Sequence, residues 1–223
     1  MSSLKLKHSS GNGTIINAPA ANPSADITLK VPSTTGTAGH YLKVASANHS
    51  STNAELEWAA VATGGITHAV TWRVNSSFTG DAEPIASNWE KADGTGQGEL
   101  VDSSTWSAPS SGVFTFPKTG YWLVSFGAHH SSQGSSLYNQ AMILGTTNNG
   151  TAWTTVMKAA SDIGFSNSNW VHGGEYGQTI MDVTDTAQVK VKFHVLVEYD
   201  ATSTNCSSTW NATYATFIRL GDT

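Results

Sequence analysis

Cysteine is almost missing from this chain: Cys206 is alone among 223 residues. One thiol cannot close an intrachain disulfide, so a cross-linked scaffold is excluded and a packed core must hold the fold. Charge is scarce as well. Asp, Glu, Lys and Arg make up 12% of the sequence, about half of the ~25% usual for soluble domains. No apolar run approaches the ~20 residues of a membrane-spanning helix, and membrane insertion is not expected. The opening MSSLKLKHSSGNG lacks the apolar centre of a secretory leader, which predicts assembly in a reducing cytoplasm. Basic stripes are absent too. The net charge of -5 divides into +1 up to Ile66 and -6 beyond it, so nucleic acid is not an expected partner.

Ser, Thr, Asn and Gly fill the space that charge has left. Disorder does not follow, because eight Trp, six Tyr and seven Phe need burial or a partner. Short alternating segments separated by turn residues dominate from Thr67 onward. The clearest is AQVKVKFHVLVEYD (187–200), where Val189, Val191, Phe193, Val195, Val197 and Tyr199 share one face. Residues 152–163 fit either a strand or a short helix. Eight or more such strands predict an all-β fold, a sandwich or jelly roll. Residues 1–66 carry shorter and sparser strands, too few to bury a core alone. We therefore expect a small N-terminal β anchor with a linker over 1–66 and a jelly-roll head over 67–223. The anchoring side chains would be Leu4, Leu6, Ile15, Ile27, Leu29, Leu56 and Trp58.

Residues 112–125 read Gly112-x-Phe114-x-x-Pro117-x-x-Gly120-x-Trp122-x-Val124-Ser125. This spacing resembles the signature of the complement globular-head family, within the tumour-necrosis-factor-like jelly rolls. Trp122 and Val124 stand where that family has Tyr and Phe, and TDTAQ replaces its Gly-Asp turn. The resemblance covers about 68–220 and implies a compact homotrimer. It also offers a reason why the strand after Pro117 does not alternate. Tyr121, Leu123 and Ser125 point to one side and Trp122, Val124 and Phe126 to the other; one set fills the sandwich, and a neighbouring subunit covers the second. We assign Trp122, Val124 and Phe126 to the subunit contact.

The N-terminal ITLKVPSTTGTAGHYLKV and AELEWAA resemble a motif of bacteriophage tail fibres and other appendages, where such strands precede a distal head. The combination implies a virion protein, a fibre or capsid decoration, assembled in host cytoplasm and exposed on the virion surface. Its N-terminal segment would meet other virion proteins of capsid or tail.

Chemistry is hard to find. No His-x-His or His-Glu-x-x-His spacing occurs, and the adjacent His129 and His130 would face opposite sides of a strand; only a three-fold meeting of single histidines leaves room for a metal. Asp81, Glu83, Glu90, Asp93, Glu99 and Asp102 lie in the long 76–110 connection, which reads as a solvated acidic loop, with calcium as an alternative. No nucleophile elbow or phosphate loop is present. The expectation is therefore no catalytic residue, no metal ligand and no cofactor. Trp89, Trp106, Trp153, Trp170 and Trp210 sit among Gly, Ser and Asn rather than in alternating runs. Trp153, Trp170 and Trp210 are the candidates for contact with host surface glycans, since indoles stack on sugar rings while amides bond hydroxyls. Two rival readings stay open, a glycan-cleaving tailspike-type enzyme and a secreted lectin-like ligand of the complement-head class.

Overall fold

The computed structural model describes residues 3–7, 13–17, 28–50, 53–60, 65–101, 106–164 and 169–223, and among them every helix or strand element is a strand. The chain divides into two compact units, Met1–Gly64 and Gly65–Thr223. In the first, β1 (Ser3–Lys7) and β2 (Gly13–Asn17) form an antiparallel hairpin. The strands β3 (Thr28–Lys30), β4 (His40–His49) and β5 (Asn53–Ala60) form a sheet ordered β3-β5-β4. Its register sets Leu42 opposite Trp58, Val44 opposite Leu56 and Leu29 opposite Ala54, which puts the apolar residues on one face. Lys43 and Glu57 pair at 3.1 Å on the other. Among the described residues of this unit no second layer covers the apolar face: Leu29, Leu42, Val44 and Trp58 are all exposed. Trp58 is nonetheless held in place, its indole donating to the Thr34 carbonyl at 2.8 Å. Of the other expected anchor residues, Leu56 is half-buried. Ile27 and the side chains of Leu4, Leu6 and Ile15 lie outside the described residues.

The second unit is a two-sheet sandwich. Its strands are β6 (Ala69–Val74), β7 (Phe78–Thr79), β8 (Trp89–Lys91), β9 (Val113–Thr115), β10 (Gly120–Ser132) and β11 (Ser136–Thr146). They are followed by β12 (Thr154–Ile163), β13 (Val171–Val183), β14 (Lys190–Val197), β15 (Ser203–Asn205) and β16 (Tyr214–Gly221). Four antiparallel pairings are nested one inside the next: β11 with β12, β10 with β13, β9 with β14, and β6 with β16. That is one long hairpin rolled up, the winding of a jelly roll. Rolling creates a larger sheet, β7-β15-β10-β16-β6-β8 with β13 on the free side of β10, and a smaller one, β12-β11-β14-β9. Residues 154–163 are strand and not helix. Met157, Ala159, Ser161 and Ile163 are the more buried positions there, a period of two.

Trp122, Val124 and Phe126 have no solvent exposure at all. They face the smaller sheet, with Phe126 at 4.9 Å from Phe193 between ring centroids. The assignment of these three to a subunit contact is therefore corrected: they are core, and no neighbour can reach them. The outward set on the same strand is Tyr121, Leu123 and Ser125. Both glycines of the 112–125 motif have structural causes. Gly112 has φ +77° and a Cβ there would sit 2.4 Å from the Ile85 carbonyl oxygen; Gly120 has φ +134° and a Cβ would sit 2.3 Å from that of Gly221. Phe114 between them packs against Trp72, Trp89, Phe193 and Phe217.

Trp106 and Trp89 also prove to be packing residues. Trp106 is 3% exposed, 4.7 Å from Phe217 and 5.2 Å from Trp122. The half-buried Trp89 donates from its indole to the Ile85 carbonyl at 2.8 Å. The 76–110 connection thus supplies rings to the core, which its Gly- and Ser-rich sequence hid.

Candidate functional site

The outward face of the larger sheet is built by the same register that builds the core. Leu123 on β10 lies between Ile180 of β13 and Ile218 of β16, and Ser125 lies between Gln178 and Thr216. Next along, Gly127 lies between Tyr176 and Tyr214, and with no side chain of its own it lets both rings lean over its backbone. Leu123, Ser125, Tyr176, Tyr214, Thr216 and Ile218 line a hollow of about 170 Å³. Tyr121, Tyr176 and Ile180 remain 43, 55 and 62% exposed, a larger apolar area than isolated surface residues leave. Charge is confined to the margins. Asp182 stands opposite Tyr121 at one corner. At the far edge Arg73 is buried under the β8 side, donating from Nε to Glu90 at 2.8 Å and from Nη2 to Asp93 and the Ser208 carbonyl. The Asn75 amide and then Arg73 hold the Glu90 carboxyl below its usual range.

At one end of this face the His129 and His172 rings stack at 5.3 Å, with the Trp210 ring 6.2 Å from His129. Burial pushes the His129 imidazole below its ordinary value; His172 and His130 push the same way, and Glu175 opposes them. Trp170, two residues before His172, is 56% exposed and Trp210 54%. The fold therefore brings Trp170 and Trp210 to the same end of the sandwich, where β10 finishes and β13 begins. Trp153 is placed apart from them, in the loop before β12 at the opposite end.

The interior behind His129 is polar. His130 Nε2 lies 2.8 Å from a Glu175 oxygen, off the axis of a straight hydrogen bond, and its Nδ1 lies 3.2 Å from the Thr204 hydroxyl. Ser161 donates to the other Glu175 oxygen. Serine, acid and histidine meet here in the wrong order for a hydrolase: the carboxylate separates the hydroxyl from the imidazole, and the His130 and Glu175 side chains are sealed from solvent. Elsewhere the acids of the 76–110 connection stay largely exposed, as expected of a solvated loop, yet several also pin the chain. Asp81 accepts from the Val197 amide at 2.8 Å, Glu99 pairs with Lys91 at 2.6 Å, and Glu83 lies 3.5 Å from His194. Asp102 lies outside the described residues. The Cys206 thiol is pushed up to about 11 by burial, which leaves it unreactive.

No family model and no curated protein matches the sequence. Solved structures do. The Eiger TNF structure from S. frugiperda aligns over 70% of this chain and 93% of its own, with 11% identity and a TM-score of 0.50. Murine APRIL at pH 8.5 aligns over 69% and 98%, with 7% identity and a TM-score of 0.47. The head is a tumour-necrosis-factor-like jelly roll. At these identities the likeness speaks for the fold alone. Sequence reasoning found the strand that carries the candidate face but chose its inward residues; the signal missed was Gly127, opposite a tyrosine on each neighbouring strand.

Proposed function

We propose that the protein is a non-enzymatic structural component of a bacteriophage particle, a fibre or capsid decoration exposed on the virion surface. Its head assembles as a homotrimer through the outer face of the larger sheet, and its N-terminal strands attach to other virion proteins of capsid or tail. The particle is assembled in host cytoplasm, and the head meets host surface glycans through the end that carries Trp170 and Trp210. The observation that carries this reading is the uncharged centre of the larger sheet, with Tyr121, Leu123, Tyr176, Ile180 and Ile218 on a sandwich that already has its own core. A closed three-fold assembly buries such a face on every copy at once. The exposed apolar side of the β3-β5-β4 sheet supports the attachment step, since a single sheet needs a second surface.

Two measurements test it. Light scattering at micromolar concentration should give a mass three times that of the chain; a monomer would refute the assembly. Gold-labelled antibody to the head should then decorate phage particles and not free host surfaces. A trimeric secreted ligand would pass the first measurement and fail the second.

A further inference from the structure

The outer face of the smaller sheet holds a second feature that the assembly does not use. A cleft of about 370 Å³ opens beside edge strand β9, lined by Ser110, Val113, Thr115, Asn149, Trp153 and Lys190 among others. That volume lies within the ~300–1,000 Å³ of small-molecule sites. Lys192 stands two residues along β14 from Lys190, opposite Val113 in the register. Its ammonium lies 4.5 Å from the centre of the Trp153 ring, over the indole.

The cleft's charge runs against that of the chain. In a protein of net charge -5, Arg73, Lys91 and Arg219 are each paired with a carboxylate. Lys190 and Lys192 have no carboxylate partner among the described residues, and no acid lines the cleft. Lys190 and Lys192 are both half-buried and alternate onto the same face of β14, so an anion lying between them would be attracted by both. Nothing within the described chain supplies it.

The wall that carries Trp153 is prearranged. Thr146 Oγ1 donates to the Asn148 side chain at 2.8 Å and accepts from the Gly150 amide at 3.2 Å, while Asn148 Oδ1 accepts from the Ala152 amide at 3.0 Å. The Asn149 amide donates to the Gln188 carbonyl at 2.9 Å, tying the loop to the strand that brings Lys190. Gly150 has φ +88°, and a Cβ there would touch the indole at 3.5 Å, so the turn and the ring fit one another closely. Among the described residues the Asn149 side chain has no hydrogen-bond partner, and it is exposed beside the cleft together with Ser110 and Thr115. An indole with the Lys192 ammonium over it, a valine, the Lys190 side chain, and an amide with two hydroxyls match a ligand with an apolar C–H face, a carboxylate and several hydroxyls.

We infer that this cleft binds an acidic sugar unit, its carboxylate between Lys190 and Lys192 and its ring against Trp153. The inference adds a glycan contact at the opposite end from Trp170 and Trp210 and rests on the proposed function for the source of the sugar. It places the acidic subsite on the opposite face from the assembly surface, so that in a trimer three copies point outward and weak binding is multiplied.

Isothermal titration calorimetry on the full chain tests it with three probes: glucuronic acid oligosaccharide, a matched neutral glucose oligosaccharide and inorganic phosphate. The acidic saccharide should bind at least tenfold more tightly than the neutral one, and more tightly than phosphate. K190Q and K192Q, which leave the loop's own hydrogen bonds alone, should each weaken it at least tenfold with unchanged thermal melting. Equal binding of acidic and neutral sugars, equal binding of phosphate, or no response to K190Q and K192Q would overturn the subsite. The two readings fail separately. Saccharide binding by a protein that decorates no particle removes the virion role and leaves the cleft; particle decoration without saccharide binding does the reverse.

Discussion

The two outer faces of the sandwich obey the same alternation and come out opposite in character. On the larger sheet the outward positions of β10, β13 and β16 are Tyr121, Leu123, Tyr176, Ile180, Tyr214 and Ile218, and charge is kept to the edges. On the smaller sheet the outward positions are Lys190, Lys192 and His194 on β14, with Lys158 across Met142 on β12. Both sheets use their inward positions for the same core, where Trp122, Phe126, Phe193 and Phe217 are fully buried. The outward positions of the two sheets therefore differ in charge, and that difference is what the proposed roles of the two faces rest on.

The strongest way to break the comparison is to move along β10 by one residue. Trp122→Ala removes a side chain with no exposure that touches Trp106, Phe116 and His68. A loss of about 3–5 kcal/mol is expected, seen as a melting temperature lower by on the order of 10 °C. Tyr121→Ala, on the outward face, should change melting of the dissociated chain by less than about 0.5 kcal/mol. Equal effects at the two positions would mean that the inward and outward phases have been exchanged.

Arg73→Met comes next. Arg73 is 1% exposed at the margin of the larger face, and its removal strands Glu90 beside Asp93. Breaking one side of a buried pair costs about 3–5 kcal/mol, and solvent around the acids, with Glu90 30% and Asp93 81% exposed, puts this case at the lower end. Chemical denaturation at pH 7 measures it. The folded state holds the Glu90 carboxyl below its ordinary value, so the wild-type contribution is present above the usual carboxylate pKa of 4.5 and lost as pH falls through the lowered one. The difference between wild type and R73M should shrink accordingly in acid.

A third test separates the faces directly. Ile180→Lys puts an ammonium into the centre of the larger face, and assembly should weaken at least tenfold, about 1.4 kcal/mol, by sedimentation. Lys158→Glu on the smaller face should leave assembly unchanged. If both variants dissociate, the larger sheet has no special part in self-association.

Much of this was legible in the sequence, but not evenly. The 187–200 strand could be read outright because Lys190 and Lys192 mark one phase as polar, although His194 on that phase is buried. The 120–132 strand could not, since Tyr121 and Leu123 are as apolar as Trp122 and Val124. Which phase is core depends on Phe193 and Phe217, tens of residues away, and no local pattern contains that. The motif glycines were visible as spacing, yet their cause is the approach of Ile85 and Gly221, which only the closed sandwich creates. Trp106 and Trp89 misled for the same reason: a Ser- and Gly-rich neighbourhood says how a segment bends and nothing about where its ring goes. The acids at 81–99 are largely exposed as their sequence suggests, but their partners, Arg73, Lys91 and the Val197 amide, lie on other strands and could not be read.

The mildest difference between the faces lies in two histidines. His129 is on the larger face beside His172 and Trp210, and His194 is on the smaller face beside Lys192 and Glu83. Burial is the main cause that lowers both imidazoles, and a neighbouring positive group adds to it in each case; Glu175 and Glu83 oppose. A folded-state value below the ordinary 6.5 means that stability is fully present above 6.5 and is lost as pH falls through the lowered value. Melting curves should therefore be flat at neutral pH and decline below it, with H129Q and H194Q each removing part of the slope. The faces then diverge. Protonating His129 places charge next to His172 on the face proposed for the subunit contact, so on that proposal the wild-type assembly should also loosen in acid, and H129Q should hold together to lower pH. H194Q should move the unfolding curve and leave the assembly curve where it was; if it shifts assembly as much as H129Q does, the two faces are not distinct in function.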